Sequence, residues 1–334
     1  IDGLGLDEGD PIDPKRFSDL DLEERELSYG RSGFALQFQL DTSISDADRY
    51  PLKLSDLIVD DLDNTHGFEK LVYASDRTLE WDIETLGFSG DRYYRPMSRV
   101  GQPTKYDGIV MTIDPSGRGK DELGYCVIAK LSHQFFVLDA DGVRGGYTEQ
   151  NLTRLAQVAA KYKVTEIVHE ANYGDGMWGQ LFAPILRKYH PCTLTEVKHS
   201  SQKERRIVET LEPVMNQHRL IFDRKLIERD LAFVRNDTSD MGVEQRLKYS
   251  LLFQLAHITL DRGSLVHDDR LDALSMAVNY WVEKIGASVD DAMAVRKADR
   301  LQKELDTFVE HAIGRKPTPQ GWMGSLQTRY KGRW

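Results

Sequence analysis

Three acidic residues crowd the start of an otherwise apolar helical stretch, HDDRLDALSMA at residues 267–277. Leu271, Leu274 and Ala277 fall on one helical face, yet Asp268, Asp269 and Asp272 stand among them. A helix N-cap needs only one such residue. Two more acids close apolar segments: Asp114 ends GIVMTID and Glu170 ends TEIVHE. Carboxylates gathered at one point repel unless a cation lies between them. Oxygen donors without a His/Cys cluster suit Mg²⁺ or Mn²⁺. Two such ions about 3.5–4 Å apart are a standard device for in-line phosphodiester hydrolysis. Each acid also has an ordinary explanation. Asp114 precedes Pro115 and could open a turn, Glu170 could be a surface strand end, and Asp268 or Asp269 could simply cap the helix. Asp272 lies one turn into the helix and is expected to support the site from behind.

A second group is basic. VKHSSQKERR (197–206) places Lys198, Lys203, Arg205 and Arg206 at a strand-to-helix junction, where a helix N-terminus already favours anions. These residues could hold the backbone of a nucleic acid, or form a solvated basic face. ANYGDG (171–176) follows Glu170 directly. Its Gly174 and Gly176 suit a loop approached closely by substrate, and Asn172 could orient a ligand. GRGK (117–120) is not a phosphate loop: the glycine spacing is wrong, and Lys120 is followed by Asp121 rather than Ser or Thr.

The acids can meet only if the elements carrying them converge. Apolar runs predict strands at 108–114, 122–131 and 133–142, the last two joined so tightly that they must pair antiparallel. A helix follows at 148–163, a strand at 164–174, a helix at 176–189 and a strand at 192–198. Then come a helix at 200–217, with a Ser201–Glu204 capping box, and a strand at 218–223. Helices are predicted near 224–236, 244–256 and 269–284, with a long charged one at 288–312. Strands that need helical crossovers run parallel to the first. The expectation is an α/β fold, a mixed sheet with helices on both faces. The strand ending at Glu170 should lie beside the one ending at Asp114, and ligands in such sheets bind outside the carboxyl ends of the strands. Residues 1–65 read as an acidic linker, with an edge element in YPLKLSDLIVDDL. Residues 66–107 read as an irregular lead-in with short strands, 108–286 as the main domain, and 287–334 as a C-terminal helix and basic tail.

The net charge of −10 is unevenly placed. Residues 1–65 hold 17 acids and 6 bases, so the remainder is net +1, and 315–334 hold five bases and no acid. The acidity is thus a property of the leader, and the rest can meet a polyanion. No apolar run is long enough for a transmembrane helix, and no signal peptide is expected. Two cysteines, Cys126 and Cys192, outside any metal-type spacing, fit a reducing compartment.

TIDPSGRGKDELGYCVIA, IVHEANYGDGMWGQLF, VKHSSQKERRI and VHDDRLDALSMAVNYW resemble the successive motifs of the nuclease domain in bacteriophage terminase large subunits, the short-tailed coliphage type also called DNA maturase B. The resemblance covers about residues 108–284. SGFALQFQLD (32–41) resembles the segment linking motor to nuclease in those proteins, and the tail after 288 their C-terminal extension. It implies an RNase H-like (resolvase/integrase) fold and a Mg²⁺- or Mn²⁺-dependent endonuclease, with two ions, that cuts concatemeric viral DNA at the start and end of packaging. Carried over by position, Asp114 is the first metal ligand and Glu170 the second, and Asp269 is favoured over Asp268 for the third. It further implies double-stranded DNA, the portal protein, the procapsid and a small terminase subunit as partners. A ring of copies on the portal and action in the host cytoplasm, with no membrane, follow too. ATP would belong to an N-terminal motor that this chain is not expected to contain. The alternatives are another RNase H-like nuclease, of junction-resolvase or transposase type, and a non-catalytic DNA- or portal-binding module.

Overall fold

The computed structural model describes residues 16–18, 21–22, 25, 49–88, 90–115, 122–171, 177–198, 201–236 and 240–286. Residues 1–279 form one compact unit and 280–334 a second, of which only the helical residues 280–286 are described. The readings made for 32–41, GRGK, Asn172, Gly174, Gly176, the helix at 288–312 and the basic tail lie outside the described residues.

The first unit is built on a seven-stranded sheet. Its strands are β1 (Ile58–Asp60), β6 (Gly108–Asp114), β7 (Leu123–Leu131), β8 (Gln134–Val143), β9 (Glu166–Glu170), β10 (Thr193–Val197) and β11 (Leu220–Asp223). Their order is β1-β11-β8-β7-β6-β9-β10. Only β7 runs against the others, because two residues join β7 to β8 while every later strand returns through a helix. Two small antiparallel pairs, β2 (His66–Gly67) with β5 (Thr104–Lys105) and β3 (Lys70–Val72) with β4 (Ser98–Val100), make up the lead-in. Gln134 ties β3 to the sheet by accepting from the Leu71 N–H at 2.6 Å and donating to its carbonyl at 2.9 Å. The expected boundary at 108 is therefore too late. β1, inside the stretch read as linker, is the edge strand of the main sheet, and its Ile58 and Val59 are wholly buried. It lies within YPLKLSDLIVDDL, the segment read as an edge element.

The helices are α1 (Glu149–Tyr162), α2 (Met177–Tyr189), α3 (Lys203–Asn216), α4 (Arg224–Arg235), α5 (Val243–Tyr249), α6 (Leu251–His257) and α7 (269–286). The stretch expected as one helix at 244–256 is two. Ser250 has extended backbone angles, and its hydroxyl is 2.5 Å from the Asp230 carboxylate, while it accepts from the Phe253 N–H. A buried polar contact has overridden a continuous helical pattern. The Ser201–Glu204 capping box also does not form. Gln202 is the N-cap, without a side-chain bond, and Glu204 instead accepts from the Gly263 N–H at 2.6 Å.

Strand alternation sorts side chains to the two faces of the sheet. Ile109, Met111 and Ile113 of β6, with Ile167 of β9, join the core formed with Leu155, Ala159, Trp178 and Phe182 of α1 and α2. The even positions therefore face the other way. There Thr112 donates to the Ala273 carbonyl of α7 at 2.6 Å. Asp114 and Glu170 share this parity, so both acids look toward α3 and α7. Gly124 of β7, opposite Asp114, lets α7 come close: a Cβ there would stand 2.3 Å from the Asp269 carbonyl oxygen and 2.9 Å from the Arg270 nitrogen. In an ordinary strand, Gly→Ala stabilises by about 0.5–1 kcal/mol. Here Gly124→Ala is expected to destabilise by roughly 1–3 kcal/mol, because backbone must move. Urea denaturation measures the sign, and a stabilised variant would contradict the close approach.

Candidate metal centre

β6 and β9 pair in parallel, with Ile113 opposite His169, so Asp114 and Glu170 sit side by side at the carboxyl edge. Asp114, Glu170 and Asp272 are all buried, and each offers an oxygen within 4.8 Å of the others. Of the three α7 acids read as metal candidates, Asp268, Asp269 and Asp272, it is Asp272 that meets Asp114 and Glu170 at this distance, and it is the most deeply buried of the three. Helix phase places it there: the Asp272 N–H bonds the Asp268 carbonyl at 2.8 Å, so α7 begins at 269, and its first turn brings residue 272 under the sheet edge. Asp268 is partly exposed. Asp269 is half-buried, with its Oδ2 buried and lacking a hydrogen-bond partner.

The basic residues divide. Lys203 points inward. Its Nζ lies 3.3 Å from Asp114 Oδ2, 2.9 Å from Asp268 Oδ1 and 3.2 Å from Asp272 Oδ2. Arg206 also turns in, donating from Nη2 to both oxygens of Asp272 at 2.8 and 3.0 Å. Both were read as candidates for the nucleic-acid backbone, and in this structure both are bound to carboxylates instead. One helical turn at the start of α3 carries both toward the acids. Arg205, between them, is exposed and pairs with Glu209 of its own helix, at 3.5 Å. Lys198 is exposed at the end of β10.

Among the described residues, Asp114, Asp268, Asp269 and Asp272 stand close to two cations, Lys203 and Arg206. Burial drives the Asp114 carboxyl well above its ordinary range. Lys203 opposes that rise, while Asp272 and Glu170 add to it. Burial, and then the charge of Asp114, push Asp269 up to about 8. Burial by itself would lower the Lys203 ammonium, but Asp272, Asp114 and Asp268 outweigh it and hold the proton on more tightly. An all-oxygen donor set, an orphaned buried carboxylate oxygen and carboxyls forced toward the neutral form together fit a divalent cation.

Several residues that hold these acids carried no recognisable signal in the sequence. Thr112 and Gly124 set the height of α7 over the sheet. Gln254 of α6 accepts from the Leu271 N–H at 3.1 Å, satisfying one of the free donors at the α7 N-terminus. Arg270 is buried beside Asp269 and bound to Glu122. A lone Thr, Gly or Gln has no pattern to distinguish it; only the pairing of Asp114 with Gly124 across two strands could have suggested the close approach.

With this geometry in place, comparison with known proteins is informative. The family model for the Ribonuclease H-like domain of the bacteriophage T7 terminase matches residues 113–220. The terminase large subunit of Enterobacteria phage T3 is 39% identical over 319 residues, covering 93% of this chain. The chain is thus similar to a terminase large subunit along nearly all of its length. It spans about half (52%) of the length of that T3 relative. Its fold is RNase H-like. Among solved structures, the human cytomegalovirus terminase nuclease domain, Mn soaked and inhibitor bound, is similar at 16% identity over 52% of this chain and 82% of that one, with a TM-score of 0.37. The nuclease domain of the large terminase subunit gp2 of bacterial virus Sf6 is similar at 15% identity, covering 52% and 88%, with a TM-score of 0.34. Among the described residues, no helix is long and apolar enough to cross a membrane.

The raised Asp269 carboxyl has a consequence for stability. Between pH 3.8 and about 8 the folded protein keeps a proton that the unfolded chain has released. The contribution of that group is therefore complete below the lower value and is lost as pH rises through the upper one. In chelator, Tm is expected to fall between about pH 5 and pH 8.5, and Asp269→Asn should flatten the fall. Calorimetry of both proteins checks this; identical slopes would contradict the burial of Asp269 against Asp114.

Proposed function

We propose that this chain is the metal-dependent endodeoxyribonuclease of a viral packaging terminase, cutting concatemeric double-stranded DNA when packaging begins and ends. The observation that carries the reading is the buried group Asp114, Glu170 and Asp272 at the carboxyl edge of an RNase H-like sheet. Those three carboxylates would hold one Mg²⁺ or Mn²⁺, with Asp269 available to share a second with Asp114. The metal's chemistry, when bound, is to lower the pKa of a water and to stabilise the leaving 3′ oxygen.

The chain's own residues do the rest. Arg206 grips both oxygens of Asp272 and fixes the plane of that carboxylate. Lys203 spans Asp114, Asp268 and Asp272, and keeps acids from both the sheet and α7 from driving each other apart. Lys198 and Arg205 are exposed, where they can face the phosphate backbone. Contacts of that kind position a duplex without reading its sequence. The portal protein, procapsid and small terminase subunit are the proposed partners, in a ring of copies on the portal in the host cytoplasm. ATP would serve a motor outside this chain.

Plasmid nicking and linearisation with Mg²⁺ or Mn²⁺ test the reading. Asp114→Asn and Asp272→Asn are each expected to cut at least about 10³-fold more slowly than the parent, roughly 4 kcal/mol of barrier, while remaining folded. Folded variants that cut at the parental rate would place the activity elsewhere. A parent inert with either metal would favour a module that only binds DNA or the portal.

A further inference from the structure

The first turn of α7 is gripped from two sides. Helical residues advance about 100° each, so residues 270 and 272 point in nearly opposite directions. Asp272 is held by Lys203 and Arg206. On the other side, Arg270 is only 4% exposed and enters a nest of carboxylates. Its Nε and Nη2 both donate to Glu122, Nη2 at 3.2 Å. Its Nη1 lies 3.2 Å from Asp141 and 3.5 Å from Asp230. These acids come from the start of β7, from β8 and from α4. Gly142 makes room for the arrangement, since a Cβ there would lie 2.0 Å from the Glu122 carboxyl carbon. Asp230 also accepts from the Leu252 N–H of α6 at 3.1 Å, so the clamp reaches the helix whose Gln254 caps α7.

We propose that Arg270 is a positioning residue: its ion-pair clamp with Glu122, Asp141 and Asp230 fixes the rotation and height of the first turn of α7, and so sets the affinity of the carboxylate centre for a divalent cation. The inference rests on the metal reading above. Without the clamp, Asp269 and Asp272 would still be present, but they would no longer be held against Asp114 and Glu170. Lysine keeps the charge at position 270 but cannot reproduce the planar, two-pronged contact with Glu122. The clamp touches neither Lys198 nor Arg205, so its loss should leave the proposed DNA-facing surface alone.

The test compares the full chain with Arg270→Lys and Glu122→Gln. The readouts are Mn²⁺ binding by electron paramagnetic resonance, backbone hydrogen exchange over residues 268–274, and duplex affinity without metal. Arg270→Lys is expected to weaken Mn²⁺ binding about tenfold or more, to speed exchange over 268–274, and to change metal-free duplex affinity by less than about twofold. A folded Arg270→Lys protein with parental Mn²⁺ affinity overturns the proposal. Should that variant not fold, Glu122→Gln probes the same contact with the side-chain shape preserved, and parental Mn²⁺ affinity there overturns it equally. If the parent binds no Mn²⁺, the metal reading fails; exchange over 268–274 then judges the clamp by itself, and unchanged exchange refutes it.

Discussion

Carboxylates at one sheet edge, most of them buried, cannot all be ionised without compensation, and much of this structure is arranged around that constraint. Lys203 and Arg206 supply two positive charges from a single helical turn, at 2.8–3.3 Å from the acids they neutralise. Breaking a buried pair by removing one partner costs about 3–5 kcal/mol, because the other charge is left stranded. The elements that carry these cations and acids are thereby bound to each other.

The constraint reaches into the fold through geometry. Alternation along β6 and β9 delivers Asp114 and Glu170 to the same face, while their neighbours Ile113 and His169 face the α1–α2 side. The reversed strand β7 places Gly124 opposite Asp114, where the absent side chain admits the N-terminus of α7. Thr112 and Gln254 then satisfy backbone groups of that turn. The site is therefore made by strand parity, one glycine and one helix start.

A second charged group lies behind the first. Glu122, Asp141 and Asp230 surround Arg270, with Arg144 and Arg154 on their outer sides at 3.7 and 3.1 Å. Among the described residues, three acids here face three arginines, so this group is held together by its own ion pairs.

Much of this could be read from the sequence. Apolar runs and their spacing gave the five strands from β6 to β10 and the helices α1 to α3, because those signals are local and periodic. That Asp114 and Glu170 end parallel strands at the same edge followed from the helical crossover between them. Local signals failed where a distant group decided the outcome. Ser250 breaks a helix because Asp230 lies beside it, and Glu204 leaves its capping box for Gly263. The edge element around β1 was legible, but not the sheet it joins, because its partner β11 is more than 150 residues away. The chemical class of the site was set by residue types alone: several carboxylates with no His/Cys cluster. Which carboxylate completes the group was not. Asp269 and Asp272 differ only by the rotation of one helix against one sheet, and that rotation is fixed by contacts to β6, β7, α3 and α6 that no stretch of sequence around them contains.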